Sequence, residues 1–220
     1  MTSNKRVLCP KCLRPQRTCI CLWVTPTEHE VEVLLLQHPL EIDNAKGSAR
    51  LLHLSLQHSQ IITGEVFLEE ELRASLYAPF PYQEGDTENK KPIQPLLLYP
   101  STAEDGNMAI PPVLMQAAGN ALIQYRLVVL DGTWSKSRKM LYLNPLLQQL
   151  PRLPLSDLPA SHYRIRKAHK PDQLSTYEAS CYALMQLENE TKKYLRLLEA
   201  FDSFVEQISS YDPNSKKEGV

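Results

Sequence analysis

The stretch LVVLDGTWSKSRKM, residues 127–140, sets an acid, a glycine, a hydroxyl and an indole in succession after four apolar residues. A carboxylate that ends an apolar run, followed by a glycine and an indole, is placed where a ligand could be held. Asp131 is therefore a candidate general base, with helix capping or the holding of a cationic ligand as its alternative uses. Gly132 allows backbone to come close to a ligand. Trp134 offers a face on which a nucleotide base can stack, although a lone indole after a strand is by default a core residue. Lys136, Arg138 and Lys139 follow on a helix-forming segment, so a ligand held here meets positive charge.

A second chemical group stands at the start of the chain. Cys9, Cys12, Cys19 and Cys21 place four thiols within 13 residues. Tetrahedral zinc takes four such ligands at about 2.3 Å; an iron–sulfur cluster also takes four thiolates. Zinc is the preferred reading, in a closed structural site, because the four cysteines fill its coordination and no fifth ligand is evident. A segment this short and basic has no core in which four thiols would simply be packed. Cys181, alone inside an apolar helical run, reads as a packed residue.

The elements that must position these groups follow from periodicity. Residues 31–39 read as a buried strand ending in a turn at His38-Pro39, and residues 45–59 as a helix. Residues 65–72 read as a short strand turning into a helix, 82–95 as a polar loop, and 96–99 as a strand closed by Pro100-Ser101. A helix over 111–125 begins with prolines, where a missing N–H does no harm. The strand 126–130 then leads into a helix interrupted near Asn144-Pro145. Residues 151–155 and 162–167 are candidate short strands, and one long helix is expected from Ser175 to about Ser209. Ser175 and Glu178 form a capping box at its start. Alternating strands and helices with near-continuously apolar strands indicate an α/β sheet covered on both faces. In such sheets ligands sit beyond the carboxyl ends of the strands, which places the loops after His38, Tyr99 and Asp131 around one pocket. The domain plan is a cysteine module over 1–23, an α/β domain over 24–209 and a flexible tail over 210–220.

The formal net charge of −1 hides an uneven distribution. Residues 1–23 carry Lys5, Arg6, Lys11, Arg14 and Arg17 with no acid, and residues 133–170 carry eight cations against Asp157 alone. A basic face able to meet phosphates is the inference, against solvated helix faces as the plainer one. No run approaches the roughly 18 apolar residues of a membrane span, and the N-terminus lacks a signal-peptide core, so a cytoplasmic protein is expected. Nothing in the sequence calls for a membrane or an obligate protein partner.

Four ordered stretches together resemble the DTW-domain family: the cysteine module, QHPLE at 37–41 followed by KGSARLL, LDGTWSKSRKM at 130–140, and YRIRKAHKPDQLSTYEA at 163–179. One departure is visible. Gly47-Ser48 stands where the family commonly has an Asn-Thr pair, which puts any contact of that asparagine in doubt. The resemblance implies a SPOUT-like α/β fold, with a knotted sheet among the forms it allows against a strong general rule excluding knots. It implies a transferase that donates the 3-amino-3-carboxypropyl arm of S-adenosylmethionine to N3 of a variable-loop uridine in tRNA. On this reading the donor is held by Pro100, Ser101, Leu130, Asp131, Gly132, Thr133, Trp134, Leu174, Ser175 and Thr176, with Asp131 catalytic. RNA would be met by His38, Lys136, Arg138, Lys139, Arg164, Arg166, Lys167 and Lys170, and zinc by the four cysteines. The alternatives are the same transfer on ribosomal RNA or at another tRNA position, and a non-catalytic zinc-containing RNA-binding protein.

Overall fold

The computed structural model describes residues 7–44, 47–80, 91–100, 122–155 and 174–210. Its centre is a parallel sheet of β1 (Glu32–Gln37), β2 (Ser59–Thr63), β3 (Ile93–Leu98), β4 (Gln124–Asp131) and β5 (Arg152–Leu153), in the order β2-β1-β4-β3-β5. The helices are α1 (Ala49–Ser55), α2 (Glu69–Tyr77), α3 (Trp134–Leu143), α4 (Pro145–Gln148), α5 (Thr176–Glu188) and α6 (Lys192–Ser210).

The period-2 alternation of side chains divides the apolar strands between two cores. Val33 and Leu35 of β1 and Leu127 and Val129 of β4 face one core, closed by α1, α5, α6 and the cysteine module. Leu34, Leu36, Val128 and Leu130 face the other, closed by α2, α3 and α4. The expected sheet with two covered faces is therefore present.

Several boundaries differ from expectation. The helix expected over 45–59 is shorter, Ala49–Ser55, and strand β2 begins at Ser59, which suits β-branched Ile61, Ile62 and Thr63. The short strand expected just before α2 is replaced by this earlier one. Strand β3 starts at Ile93 rather than Leu96. Its Pro95 is accommodated because β5 pairs only with Leu97 and Leu98, leaving the first half of β3 as an edge. Gln124 and Tyr125 belong to β4, not to a preceding helix. The single long helix is two, broken at Asn189, whose left-handed backbone (φ 49°) ends α5. The candidate strand over 162–167, the helix over 111–121 and the tail lie outside the described residues. Among the described residues no helix is long and apolar enough to cross a membrane.

At the amino end of β4, away from the DGTW turn, Arg126 is fully buried. It donates to Glu32 Oε2 at 2.7 Å, to Ser75 O at 2.6 Å and to Ala78 O at 2.9 Å, and lies 4.0 Å over the Phe80 ring. This pair ties β1 and β4 to the end of α2. Arg126→Met is expected to cost about 3–5 kcal/mol in urea unfolding, because it strands the Glu32 charge in the core. Adding Glu32→Met should recover most of that loss.

Candidate active site and metal centre

Strand order creates a crevice between β1 and β4. The chain leaves β1 toward β2 on one side and leaves β4 toward β5 on the other, so the two connections diverge from adjacent strand ends. Ligand sites of open α/β sheets gather at such a divergence. Gln37 and Asp131, the last residues of the two strands, are partners in register there. Gln37 alternates in step with Val33 and Leu35, and Asp131 with Leu127 and Val129, so both point to the face covered by α5. Gln37 Nε2 donates to Asp131 Oδ2 at 2.8 Å, and Thr176 at the start of α5 adds a polar side chain whose influence favours the ionised carboxylate. The main chain continues the ladder by one step, His38 N–H donating to Asp131 O at 2.9 Å.

Asp131 is buried. Burial pushes its pKa above the usual aspartate value, the Gln37 bond and Thr176 pull it down, and the charge of Glu41 adds to the rise. Neighbouring donors thus hold a carboxylate that burial has made more basic. It does not cap α3: the N-cap is Thr133, which makes no side-chain cap bond.

The loop after β1 is pinned from both sides. His38 is buried and both its ring nitrogens are engaged: Nδ1 accepts from Leu40 N–H at 3.1 Å and Nε2 donates to Glu65 at 2.9 Å. Glu65 also takes Lys139 Nζ at 3.0 Å, and the Asn144 side chain fixes its backbone at the α3–α4 break. Glu41 accepts from Lys136 Nζ and from Asn44 Nδ2, each at 2.7 Å. Two of the expected RNA-facing cations are thus ion-paired within the chain; Lys139 remains largely exposed and Lys136 only partly so.

Trp134 departs from the core default. It is 46% exposed and stacks on buried Tyr99 with ring centroids 5.1 Å apart. Arg152 lies over the Tyr99 ring at 5.2 Å and donates to Pro100 O at 3.2 Å. The β3, β4 and β5 ends are thereby joined through one aromatic stack. A Cβ on Gly132 would lie 3.1 Å from Lys136 Cβ and 3.4 Å from Ser137 Oγ. That glycine therefore serves the close packing of the turn on its own helix.

Ser175 caps α5 reciprocally with Glu178, as expected, and holds Thr176 beside Asp131. Leu174 packs against the adjoining core. Ser101, Arg164, Arg166, Lys167 and Lys170 lie outside the described residues. Sequence reasoning missed Gln37, Glu41, Glu65 and Tyr99. Gln37 had a legible signal, a lone amide directly after the apolar run Val33 to Leu36.

In the cysteine module the sulfurs of Cys9 and Cys21 are 3.6 Å apart, those of Cys12 and Cys19 3.7 Å, and all four lie within 4.8 Å of one another. A metal 2.3 Å from four tetrahedral sulfurs sets them about 3.8 Å apart, so the group fits one ion. Backbone N–H groups of Cys12 and Lys11 aimed at Cys9 lower its thiol pKa to about 6, while burial and the neighbouring sulfurs push Cys21 up to about 12. Cys9, Cys12 and Ile20 join the core of the main domain. Arg14 donates to Gly47 O at 2.6 Å, and Arg50 to Lys11 O at 2.9 Å. A Cβ on Gly47 would lie 2.9 Å from Asn44 O, which accounts for glycine at the position of the sequence departure. Cys181 is fully buried, as expected of a packing residue.

Comparison with known proteins places this arrangement. The sequence model of the DTW domain matches residues 6–209. The chain is 28% identical to tRNA-uridine aminocarboxypropyltransferase 2 of Drosophila melanogaster over 198 residues, covering 87% of this chain and 72% of that one. It is 27% and 28% identical to the proteins of the same name from Macaca fascicularis and Mus musculus, each over 209 residues. It spans 64% of the length of each of these two relatives. No solved structure matches.

Proposed function

We propose that this chain, which belongs to the DTW-domain family, transfers the 3-amino-3-carboxypropyl group of S-adenosylmethionine to N3 of a uridine in the variable loop of tRNA. The observation that carries the proposal is the buried Asp131 carboxylate, held by Gln37 and Thr176 at the divergence of β1 and β4 and flanked by the exposed Trp134 indole. The names of the three relatives supply the substrate class.

The chemistry fits the parts. Uridine N3 is a poor nucleophile until it loses its proton, and Asp131 takes that proton as the N3–C bond forms. The carbon–sulfur bond breaks with its electron pair going to sulfur, so methylthioadenosine leaves neutral and needs no acid. Selection of the γ-carbon over the methyl is a matter of aim, where a misplacement of about 1 Å can forfeit 10²-fold in rate. The donor lies along the DGTW turn, Pro100, Ser101 and the segment Leu174–Thr176. Arg138 and Lys139, with Arg164, Arg166, Lys167 and Lys170, meet the RNA backbone, while Lys136 and His38 form the floor beneath it. A target base must leave its stack to be modified. The cysteines hold zinc, which cross-links the N-terminal module. The parallel sheet supports a SPOUT-like reading of the fold.

Incubation with tRNA and donor labelled separately in the methyl group and in the methionine backbone tests the proposal. Backbone label should enter the RNA; methyl label in the RNA, or no label at all, would sink it. Trp134→Ala should weaken binding of the stacked nucleotide about 10- to 100-fold, the equivalent of 1–3 kcal/mol. Trp23 is the one other indole, so RNA or donor titrations followed by tryptophan fluorescence should lose most of their signal change in that variant.

A further inference from the structure

We infer that Gln37 is the positioning residue of this site: its side-chain amide fixes the Asp131 carboxylate in one orientation toward the incoming base. The inference rests on the reading of Asp131 as the proton acceptor, and three observations carry it. First, Gln37 and Asp131 are register partners on adjacent strands, so their side chains are parallel by construction rather than by loop adjustment. Second, the bond is 2.8 Å and both residues are buried, which places it in a medium where hydrogen bonds are strong and alternatives scarce. Third, an ionised carboxylate only accepts, so the amide must present its NH2 group and the bond favours the charged form.

Thr176 alone cannot do this. It stands at the first residue of a helix that follows a long connection, whereas Gln37 is held by the sheet on both sides of β1. Among the described residues the charge of Glu41, from the loop after β1, bears on Asp131; Lys136 of α3 pairs with Glu41, His38 meets Asp131 through its backbone N–H, and Glu178 lies in the first turn of α5 beside Thr176. Glu65 and Lys139 lie behind His38. Lys136 is bonded to Glu41, so its charge is largely spent there, and the amide of Gln37 is the larger of the two influences that oppose burial, Thr176 being the other.

The test is carboxyl carbon NMR of the full-length protein, with the Asp131 resonance assigned from Asp131→Asn. In Gln37→Met, which keeps the length and loses the donor, the Asp131 midpoint should rise by roughly one unit or more. In Gln37→Glu two carboxylates at paired positions should titrate as a coupled pair with the upper midpoint raised further. Transfer by Gln37→Met at pH 7 should fall about tenfold in kcat with little change in KM for the donor, and partly recover as pH rises. An Asp131 midpoint unchanged in folded Gln37→Met would overturn the inference. The midpoint needs no turnover, so it decides this point even if the parent protein transfers nothing, an outcome that would sink only the proposed reaction.

Discussion

Asp131→Asn is expected to leave a folded protein whose transfer rate falls about 10²–10⁴-fold, the usual worth of a positioned general base. The substitution keeps the volume and an acceptor for Gln37 while removing the group that takes the proton. Donor affinity should change much less than kcat, which separates this outcome from a collapsed pocket. Parent activity should fall on acidification through a limb lying above the ordinary aspartate range, because burial raises the Asp131 pKa more than its hydrogen bonds lower it. The same shift fixes the sign of the stability change. The folded state favours the protonated form more than the unfolded chain does, so ionising Asp131 costs folding free energy. That cost is absent below the unfolded pKa and fully present above the folded one. Asp131→Asn should therefore be more stable than the parent at neutral pH, with the advantage fading as pH falls through that window. A variant both less active and more stable marks a group kept for chemistry. Retained activity would remove Asp131 from the reaction.

The second large effect concerns the metal. Stripping it with a chelator, or replacing Cys12 by Ser, should lower Tm by roughly 10 °C or more, given apparent zinc free energies of about 10–16 kcal/mol in small modules and 2–4 °C per kcal/mol in a domain this size. The reason lies in the packing. Cys9, Cys12 and Ile20 are part of the core shared by α5 and α6, and Trp23 Nε1 donates to Gln207 of α6. The module is a wall of the domain, not an appendage. Its loss should also loosen residues 38–44 and the start of α1, since Arg14 of the module donates to Gly47 O and Arg50 of α1 donates to Lys11 O. Hydrogen exchange should report faster amides at 39–44 in the stripped protein. Metal content near one per chain, and zinc rather than iron, are the accompanying expectations. An unchanged Tm after complete stripping would leave the cysteines without a structural role.

These two sites also show what each level of description could reach. The cysteine spacing sufficed for the cluster of four thiols, because short pairs around turns bring thiols together whatever the rest of the chain does. The apolar runs ending at Gln37 and Asp131 sufficed for buried parallel strands, because few other structures bury every residue of such a run. Helix ends were less legible. The leucine-rich helical pattern runs on to Ser59, but the helix stops at Ser55, and pairing with β1 makes Ser59–Thr63 a strand. Asn189 breaks α5 from α6 through a backbone conformation that apolar periodicity does not register.

Residue order alone made an inventory legible: a carboxylate after a buried strand, four thiols, an indole, a capping box and an uneven spread of cations. Which of these touch was decided by the tertiary structure alone. Strand order put β1 beside β4, and register then set Gln37 against Asp131, 94 positions apart in the chain. The same packing left Trp134 half exposed on Tyr99 and paired Lys136 and Lys139 with Glu41 and Glu65. The physical reason is that residue type and local spacing fix what a side chain can do. The environment that tunes it, whether burial, a donor or a counter-charge, arrives from segments distant in sequence.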